Sequence, residues 1–329
     1  MGKKKDSLEL YFHIPFCIKK CDYCDFLSGP ATRAGQEAYI YALLREMKAV
    51  SAIEKRTVDT VFIGGGTPSV PECGIMEKLL QGIGKNFQLA ADAEVTIEAN
   101  PGTLTPEKLA LYRRYGINRI SIGLQSPENQ ELRALGRIHN YQQFLESYHM
   151  AREAGFSNIN IDLMFAIPGQ SYEGWIQNLR TVAKLGPEHI SAYSLIIEEG
   201  TPFSARKLDL PDEDTEYRMY EDVAAVLGKY GYYQYEISNY AKKDRNCRHN
   251  EGYWQRKDYL GLGLGAASLV GRERFTNTSD MSEYLENSGN LEKIRTDRET
   301  LTREDEMGEF MFLGLRMTKG VSKKDFGEI

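Results

Sequence analysis

Three cysteines lie close together near the start of the chain, at Cys17, Cys21 and Cys24, in the spacing CxxxCxxC. Thiolates are the usual ligands of iron–sulfur clusters, and three of them can hold three irons of a [4Fe–4S] cluster while the fourth iron stays open to a substrate. A structural zinc site needs four protein ligands, and no second cysteine pair follows at zinc-ribbon spacing. The spacing therefore predicts a [4Fe–4S] cluster held by these three cysteines.

The other two cysteines, Cys73 and Cys247, bring the total to five. An odd number, with three crowded into one short segment, does not suit a disulfide framework and indicates a reducing compartment. We interpret Cys73 as a small residue packed at the start of a helix. The role of Cys247 is left open at this point.

Composition excludes several classes of protein. The 329 residues have 41% apolar side chains, which is enough for a large α/β domain with an appendage. The net charge of −6 gives no electrostatic reason to expect nucleic acid as a partner. No apolar run approaches the roughly 18 residues of a membrane span, and no signal peptide follows the basic run Lys3–Lys5, which we interpret as a solvated terminus. We expect a cytoplasmic protein and leave peripheral membrane contact open.

Short β-branched runs alternate with stretches of helical period through the first 200 positions. This alternation predicts repeated βα units and a parallel sheet. Six strands are predicted, at 8–13, 57–63, 93–99, 118–123, 158–165 and 189–195, with helices near 34–55, 72–85, 106–115, 141–154 and 172–184. The expected fold is a partial (β/α)6 barrel of the TIM type.

The cysteines, the glycine run and several polar or turn-forming segments lie in the loops that follow the predicted strands. The cysteines follow the first strand, and a run of three glycines, Gly64 to Gly66, follows the second. Polar or turn-forming segments occur at 98–101, 125–127 and 168–170. Because loops after parallel barrel strands share the C-terminal face, we expect these segments to form one site.

The pattern changes after Gly200. A helix is predicted near 212–229, followed by an aromatic run at 230–235, a glycine-rich segment at 261–265 and a helix at 302–317. We therefore divide the chain into a core barrel, residues 1–200, and an α+β extension, residues 201–329. A new helix start at 322–325 is cut short by the end of the sequence, so we expect the extension to be incomplete at its C-terminus.

A three-cysteine cluster on the first loop of a six-unit barrel resembles the radical S-adenosylmethionine (SAM) enzymes, whose signature is CxxxCxxC. The resemblance implies that SAM chelates the open iron and is cleaved reductively to a 5′-deoxyadenosyl radical. The glycine loop suits this interpretation, because the backbone N–H groups of Gly66 and Thr67 could donate to the methionyl group of SAM.

Several segments narrow the resemblance to the oxygen-independent coproporphyrinogen III oxidase family. They are Tyr11–Pro15, Gly64–Ser69, Ile97–Pro101, Ser121–Ser126, Leu135–His139, Asp162–Gln170 and Tyr235–Ala241. The resemblance implies SAM contacts from Tyr11, Tyr23, Gly65, Gly66, Thr67, Glu98, Gln125, Arg137 and Asp162, with Ile196 as an apolar neighbour. Carboxylates can accept from ribose hydroxyls or an ammonium group, and arginine can pair with a carboxylate. The alternative is that Glu98 and Asp162 cap loops and Arg137 is a surface cation.

One position separates two branches of this family. The oxidases carry a fourth cysteine two residues after the third, whereas this chain has Phe26 there. The sequence of Cys24, Asp25 and Phe26 resembles the heme chaperone branch, whose members bind heme and pass it to acceptor apoproteins without decarboxylating coproporphyrinogen.

The segment Cys247–Trp254 resembles the HNxxYW motif of the same branch. The resemblance suggests His249 as an axial ligand of heme iron, with Tyr253 and Trp254 offering flat apolar faces to a porphyrin. Two alternatives remain open: His249 is a packed, hydrogen-bonded residue, or Cys247 is a competing thiolate ligand.

The sequence thus favours a heme chaperone that binds a [4Fe–4S] cluster, SAM and heme. Its expected partners are heme or another porphyrin and heme-accepting apoproteins. Two enzymatic alternatives stay open on the same scaffold: oxidative decarboxylation of coproporphyrinogen III, and a radical SAM methyltransferase.

Overall fold

The central sheet is built from six parallel strands in chain order. The computed structural model describes residues 7–327 and 329; the basic run at 3–5 lies outside this range. The strands are β1 (Ser7–Ile14), β2 (Thr57–Gly65), β3 (Leu89–Ala99), β4 (Arg119–Gln125), β5 (Ile159–Phe165) and β6 (His189–Ser194). All six predicted strands are confirmed.

Helices connect these strands. They are α1 (Arg33–Ile53), α2 (Cys73–Asn86), α3 (Pro106–Arg114), α4 (Asn129–Ala134), α5 (Tyr141–Glu153) and α6 (Tyr172–Leu185). Five of them were predicted, and the short α4 was not. Thr32, Thr105 and Ser171 begin α1, α3 and α6, because each side chain accepts a hydrogen bond from a backbone N–H of the first turn.

The residues after position 200 add strands to both edges of this sheet. The added strands are β7 (Tyr233–Gln234), β8 (Asn239–Ala241), β9 (Tyr259–Leu262), β10 (Ala267–Val270), β11 (Glu273–Asn277) and β12 (Arg295–Thr300). The helices are α7 (Glu213–Gly228), α8 (Arg248–Trp254), α9 (Met281–Asn287), α10 (Leu291–Ile294), α11 (Arg303–Gly314) and α12 (Lys323–Gly327).

The sheet is an open, partial barrel. Strand order is β12-β11-β10-β9-β1-β2-β3-β4-β5-β6-β8-β7, so β1 pairs in parallel with β9 and β6 pairs antiparallel with β8. The extension predicted from the sequence therefore shares one sheet with the barrel, and the domain boundary near residue 200 stays a prediction. In the described part of the chain, no helix combines the length and apolarity needed to cross a membrane.

Alternation along the strands separates a helix-facing core from a polar inner face. On β4, Ile120 and Ile122 are fully buried in the apolar core, whereas Arg119 and Ser121 lie on the other face. Asp162 on β5 lies on that same inner face, because the Ser121 hydroxyl donates to its carboxylate at 3.3 Å. The inner face therefore carries polar side chains that the core cannot accommodate.

The glycine-rich segment anchors the extension to α1. The Glu46 carboxylate of α1, 1% exposed, accepts from Gly263 N at 2.9 Å, from Tyr284 Oη at 2.6 Å and from Asn277 Nδ2 at 2.7 Å. Gly263 has φ of +104°, and a Cβ there would lie 2.5 Å from the Tyr39 hydroxyl. Glycine is thus required by close packing at this point.

We expect Glu46→Ala to lower the free energy of unfolding by about 3 kcal/mol, because it strands three buried donors. Thermal and denaturant unfolding would measure the change. Glu37→Ala is the matched control, since Glu37 lies on the same helix with its side chain 35% exposed and makes only a surface ion pair with Arg33. Equal stability losses in the two variants would contradict the anchoring role of Glu46.

Candidate functional site

The three cysteines lie on a loop that closes on itself at the C-terminal end of β1. Cys17 N donates to Gly29 O at 2.9 Å, and Gly29 N donates to Pro15 O at 3.0 Å. All three thiols are partly exposed. The loop therefore presents three sulfur atoms from one short, hydrogen-bonded segment.

The glycine loop after β2 holds the start of the cysteine loop. Gly66 N donates to Ile14 O at 2.9 Å, and Thr67 N donates to Phe16 O at 2.7 Å. A Cβ on Gly66 would lie 2.8 Å from Phe16 O, so only glycine allows this approach. These N–H groups are engaged within the protein, which corrects the expectation that they donate to the methionyl group. Contacts of Gly65, Gly66 and Thr67 with SAM stay a prediction.

His13 supports the other end of the cysteine loop. Its Nε2 donates to Leu27 O at 2.8 Å, and its Nδ1 accepts from the Tyr11 hydroxyl at 3.0 Å. Burial lowers the pKa of His13, which keeps the ring neutral as this pair of bonds requires. A Cβ on Gly65 would lie 2.6 Å from the His13 ring, so a second glycine is fixed by packing.

Arg137 lies against the cysteine loop and is not a surface cation. Its Nη1 is 3.5 Å from Cys21 Sγ, and its Nη2 donates to Asn100 Oδ1 at 2.7 Å and to Gly123 O at 2.6 Å. A guanidinium at this distance stabilises a thiolate. The structure thereby excludes the surface alternative for Arg137.

Asn100 is a residue of this site that the sequence analysis did not assign. Its Nδ2 donates to Thr67 Oγ1 at 2.7 Å, and Thr67 Oγ1 is 3.6 Å from Cys17 Sγ. Asn100 thus bridges the glycine loop and Arg137. Its position directly after β3, beside Glu98, was the available signal.

Two carboxyl groups lie on the inner face behind this loop. Glu98 Oε2 accepts from Gly65 N at 3.1 Å, and Asp162 accepts from Asn160 Nδ2 at 2.6 Å. Burial, together with the neighbouring Asp162, raises the pKa of Glu98 to about 8. Burial also raises the pKa of Asp162. Glu98 therefore does cap the glycine loop through one oxygen, as the simpler alternative proposed, and this does not exclude a ligand contact.

The remaining predicted SAM residues flank this face. Gln125, 5% exposed with φ of +70°, accepts at Oε1 from the Tyr193 hydroxyl at 2.8 Å. Tyr23 packs in the small apolar cluster that includes Leu135 and Phe203. Ile196, by contrast, is 66% exposed just beyond β6.

His249 lies inside the barrel. Its Nδ1 is 2.7 Å from Thr60 Oγ1 of β2, its Nε2 is 3.0 Å from the Tyr253 hydroxyl, and its ring stacks on Phe62. The side chain is 1% exposed. Both ring nitrogens have protein partners, so this arrangement offers no ligand to a heme iron. The expectation of axial ligation by His249 is corrected, and the alternative of a packed, hydrogen-bonded histidine describes its position.

Cys247 is enclosed in the same way. It is 0% exposed, and its thiol donates to Glu94 Oε1 at 3.7 Å. Burial raises the pKa of Cys247 to about 12, so the thiol stays protonated. This contradicts the alternative of a thiolate ligand for heme.

With this geometry established, comparisons with known proteins identify the family. Sequence models of the radical SAM superfamily and of the HemN C-terminal domain match residues 11–182 and 301–328. The heme chaperone HemW of Bacillus subtilis (strain 168) is 38% identical over 324 residues, 97% of this chain and 86% of that protein. HemW of Escherichia coli (strain K12) is 43% identical over 269 residues, 81% of this chain and 71% of that protein. The chain belongs to the HemW family of the radical SAM superfamily.

The solved structure of coproporphyrinogen III oxidase (HemN) from Escherichia coli, a radical SAM enzyme, has the same fold. It superposes with a TM-score of 0.88 over 99% of this chain and 80% of that chain, at 24% identity. At this identity the match confirms the open α/β barrel and says nothing about activity. This HemW-family chain and the oxidase share their fold, so the difference between them lies in the sequence, for example at Phe26.

Membership in the radical SAM superfamily implies a [4Fe–4S] cluster and SAM, and the site fits both. Three partly exposed cysteines lie on one closed loop, with the Arg137 guanidinium beside Cys21. Glu98 bonds to Gly65 of the adjoining glycine loop and has Asp162 as a neighbour, and contacts of these two carboxyl groups with the ribose or ammonium of SAM stay a prediction. We assign the cluster to Cys17, Cys21 and Cys24 as a prediction.

We expect Cys21→Ser to abolish the visible absorption of the reconstituted cluster, because two thiolates remain for a cube that needs three. Iron and acid-labile sulfide analysis would measure the loss. Cys73→Ser is the matched control, since Cys73 begins α2, outside the cysteine loop. An undiminished iron content in Cys21→Ser would contradict the ligand assignment.

Proposed function

We propose that this protein is a heme chaperone that binds heme and passes it to heme-accepting apoproteins in the cytoplasm. The observation that carries the proposal is the 38% identity to a HemW over 97% of the chain. Phe26, where the oxidases have a fourth cysteine, supports it independently. The odd number of cysteines supports a reducing compartment.

The residues in and around the cysteine loop have separate roles in this proposal. Cys17, Cys21 and Cys24 hold the cluster, which supplies one-electron chemistry when bound. Arg137 stabilises the charge on Cys21, and Glu98 and Asp162 accept hydrogen bonds from SAM. A phenyl ring at position 26 cannot ligate a metal or carry a proton. Phe26 therefore cannot perform the chemistry that the fourth cysteine of the oxidases could perform at this position.

An exposed apolar rim at the cluster loop offers a surface for heme. Ile18, Phe26 and Ile138 are 59%, 62% and 56% exposed. Ile18 and Ile138 line one crevice with Lys19, and the Lys20 ammonium donates to Phe26 O at 2.7 Å. Heme combines a flat apolar ring with two carboxylates, which such a rim and the two lysines complement. Because His249 is enclosed, we propose that heme docks on this rim.

We expect anaerobically reconstituted protein to bind one heme per chain and to form no protoporphyrinogen from coproporphyrinogen III in the presence of SAM and reductant. Absorption titration and mass analysis of the tetrapyrrole would measure both. A coproporphyrinogen III oxidase assayed in parallel is the positive control. Turnover by this protein would refute the chaperone proposal, and so would an absence of heme binding.

We expect Phe26→Ser to weaken heme binding about tenfold, because an apolar side chain of this size contributes about 1.5–3 kcal/mol when buried. Ile53→Ser is the control: Ile53 is 69% exposed at the end of α1 that lies away from the cysteine loop. Heme titration of the two variants provides the comparison. Equal affinities would remove the rim as the docking surface while leaving the heme chaperone proposal intact.

A further inference from the structure

A line of hydrogen bonds crosses the inside of the barrel and ends at Asp162. The Tyr235 hydroxyl, just after β7, is 2.8 Å from His189 Nε2 of β6. His189 Nδ1 is 2.5 Å from Asn160 Oδ1 of β5, and Asn160 Nδ2 donates to Asp162 Oδ1 at 2.6 Å. Tyr235, His189 and Asn160 are 5%, 0% and 2% exposed. Solvent therefore does not compete for these bonds.

The direction of donation along this line is set at both of its ends. Cys247 N–H donates to the Tyr235 oxygen at 3.2 Å, which leaves the tyrosine hydrogen available for His189 Nε2. Burial lowers the pKa of His189, so its ring carries one hydrogen, and that hydrogen lies on Nδ1 and is donated to Asn160 Oδ1. With its oxygen occupied in this way, Asn160 must turn its NH2 group towards Asp162.

The Asn160 amide supplies two donors to the surroundings of Asp162. One N–H bonds to the carboxylate itself, and the other donates to Ser121 Oγ at 2.7 Å, which in turn donates to Asp162 Oδ2 at 3.3 Å. A reversed amide would point its oxygen at the carboxylate and lose both bonds. The orientation of one amide group thus decides how Asp162 is held.

We propose that Tyr235 and His189 are positioning residues for Asp162: through Asn160 they orient its carboxylate to accept a hydrogen bond from SAM. This inference rests on the proposed contact between Asp162 and SAM. It assigns a positioning role to Tyr235, which belongs to the extension and lies outside the cysteine loop. Through Tyr235 the extension helps to orient a residue of the SAM site from inside the barrel.

The titratable and charged groups around Asp162 determine how its pKa changes when these hydrogen bonds are lost. Glu98 of β3, Arg119 of β4 and Tyr193 of β6 lie near it, and His189 of β6 is connected to it through Asn160. Burial raises the pKa of Asp162, whereas the donors Asn160, Ser191 and Ser121, together with Arg119, lower it. Loss of the Asn160 donor raises the pKa of Asp162 further. A smaller fraction of Asp162 is then ionised as the pH falls, and only the ionised form is the full acceptor that SAM needs.

The test compares two tyrosines of one segment in cluster-reconstituted protein. Tyr235→Phe removes the hydroxyl that bonds to His189, and Tyr232→Phe removes a buried hydroxyl that donates to Pro187 O at 2.6 Å and is not part of the line. We expect Tyr235→Phe to weaken SAM binding about tenfold more than Tyr232→Phe, at similar melting temperatures. The difference should widen as the pH falls, because the Asp162 carboxyl, whose pKa is raised by burial, takes up a proton in that direction.

Two further variants separate the possible failures. Asp162→Asn that binds SAM like wild type would refute the proposed contact on which the inference rests. If Asp162→Asn weakens SAM binding but Tyr235→Phe matches Tyr232→Phe, the contact stands and the positioning role is overturned. If Tyr235→Phe does not fold, His189→Gln and His189→Leu replace it. The glutamine variant, which keeps an amide donor for Asn160, should bind SAM more tightly than the leucine variant, and equal binding would again overturn the positioning role.

Discussion

The close approach of the glycine loop to the first residues of the cysteine loop is the constraint on which the site depends. Gly66 N and Thr67 N donate to Ile14 O and Phe16 O, at a separation that leaves no room for a Cβ on Gly66. These two bonds extend the pairing of β1 and β2 past the ends of the strands. The first cysteine, Cys17, directly follows Phe16, so the sheet holds the start of the cysteine loop in place.

The extension supports this arrangement from two sides. On the edge at β1, Tyr39 donates to His13 O and accepts from Leu264 N, while Glu46 holds Gly263. Inside the barrel, α8 places His249 against Thr60, and Tyr235 bonds to His189. A deletion of residues after position 200 would therefore remove the observed partners of Thr60 and His189 on the inner face. Core and extension are one structural unit in the physical sense that each satisfies buried donors and acceptors of the other.

Local features of the sequence were sufficient for the six central strands, for five helices between them, and for α7 and α11 of the extension. The strands are short, β-branched and bounded by turn residues, and the helices have period 3.6 with capping residues such as Thr105 before Pro106. The six-residue α4 was missed because it is too short to show a period. The strands β7 to β12 were also missed, since strands of two to six residues carry little pattern of their own.

The sequence by itself determined the chemistry that is available: three thiols at cluster spacing, glycines after β2, and a phenylalanine at position 26 that points to one branch of the family. Each of these is a local feature, because the residues of each motif lie within a few positions of one another. Only the tertiary structure decided which polar groups are free. The two ring nitrogens of His249, a ligand candidate by residue type, are bonded to Thr60, 189 positions away, and to Tyr253. The physical reason is that burial and hydrogen-bond partners depend on contacts between distant segments, which residue type and spacing do not specify.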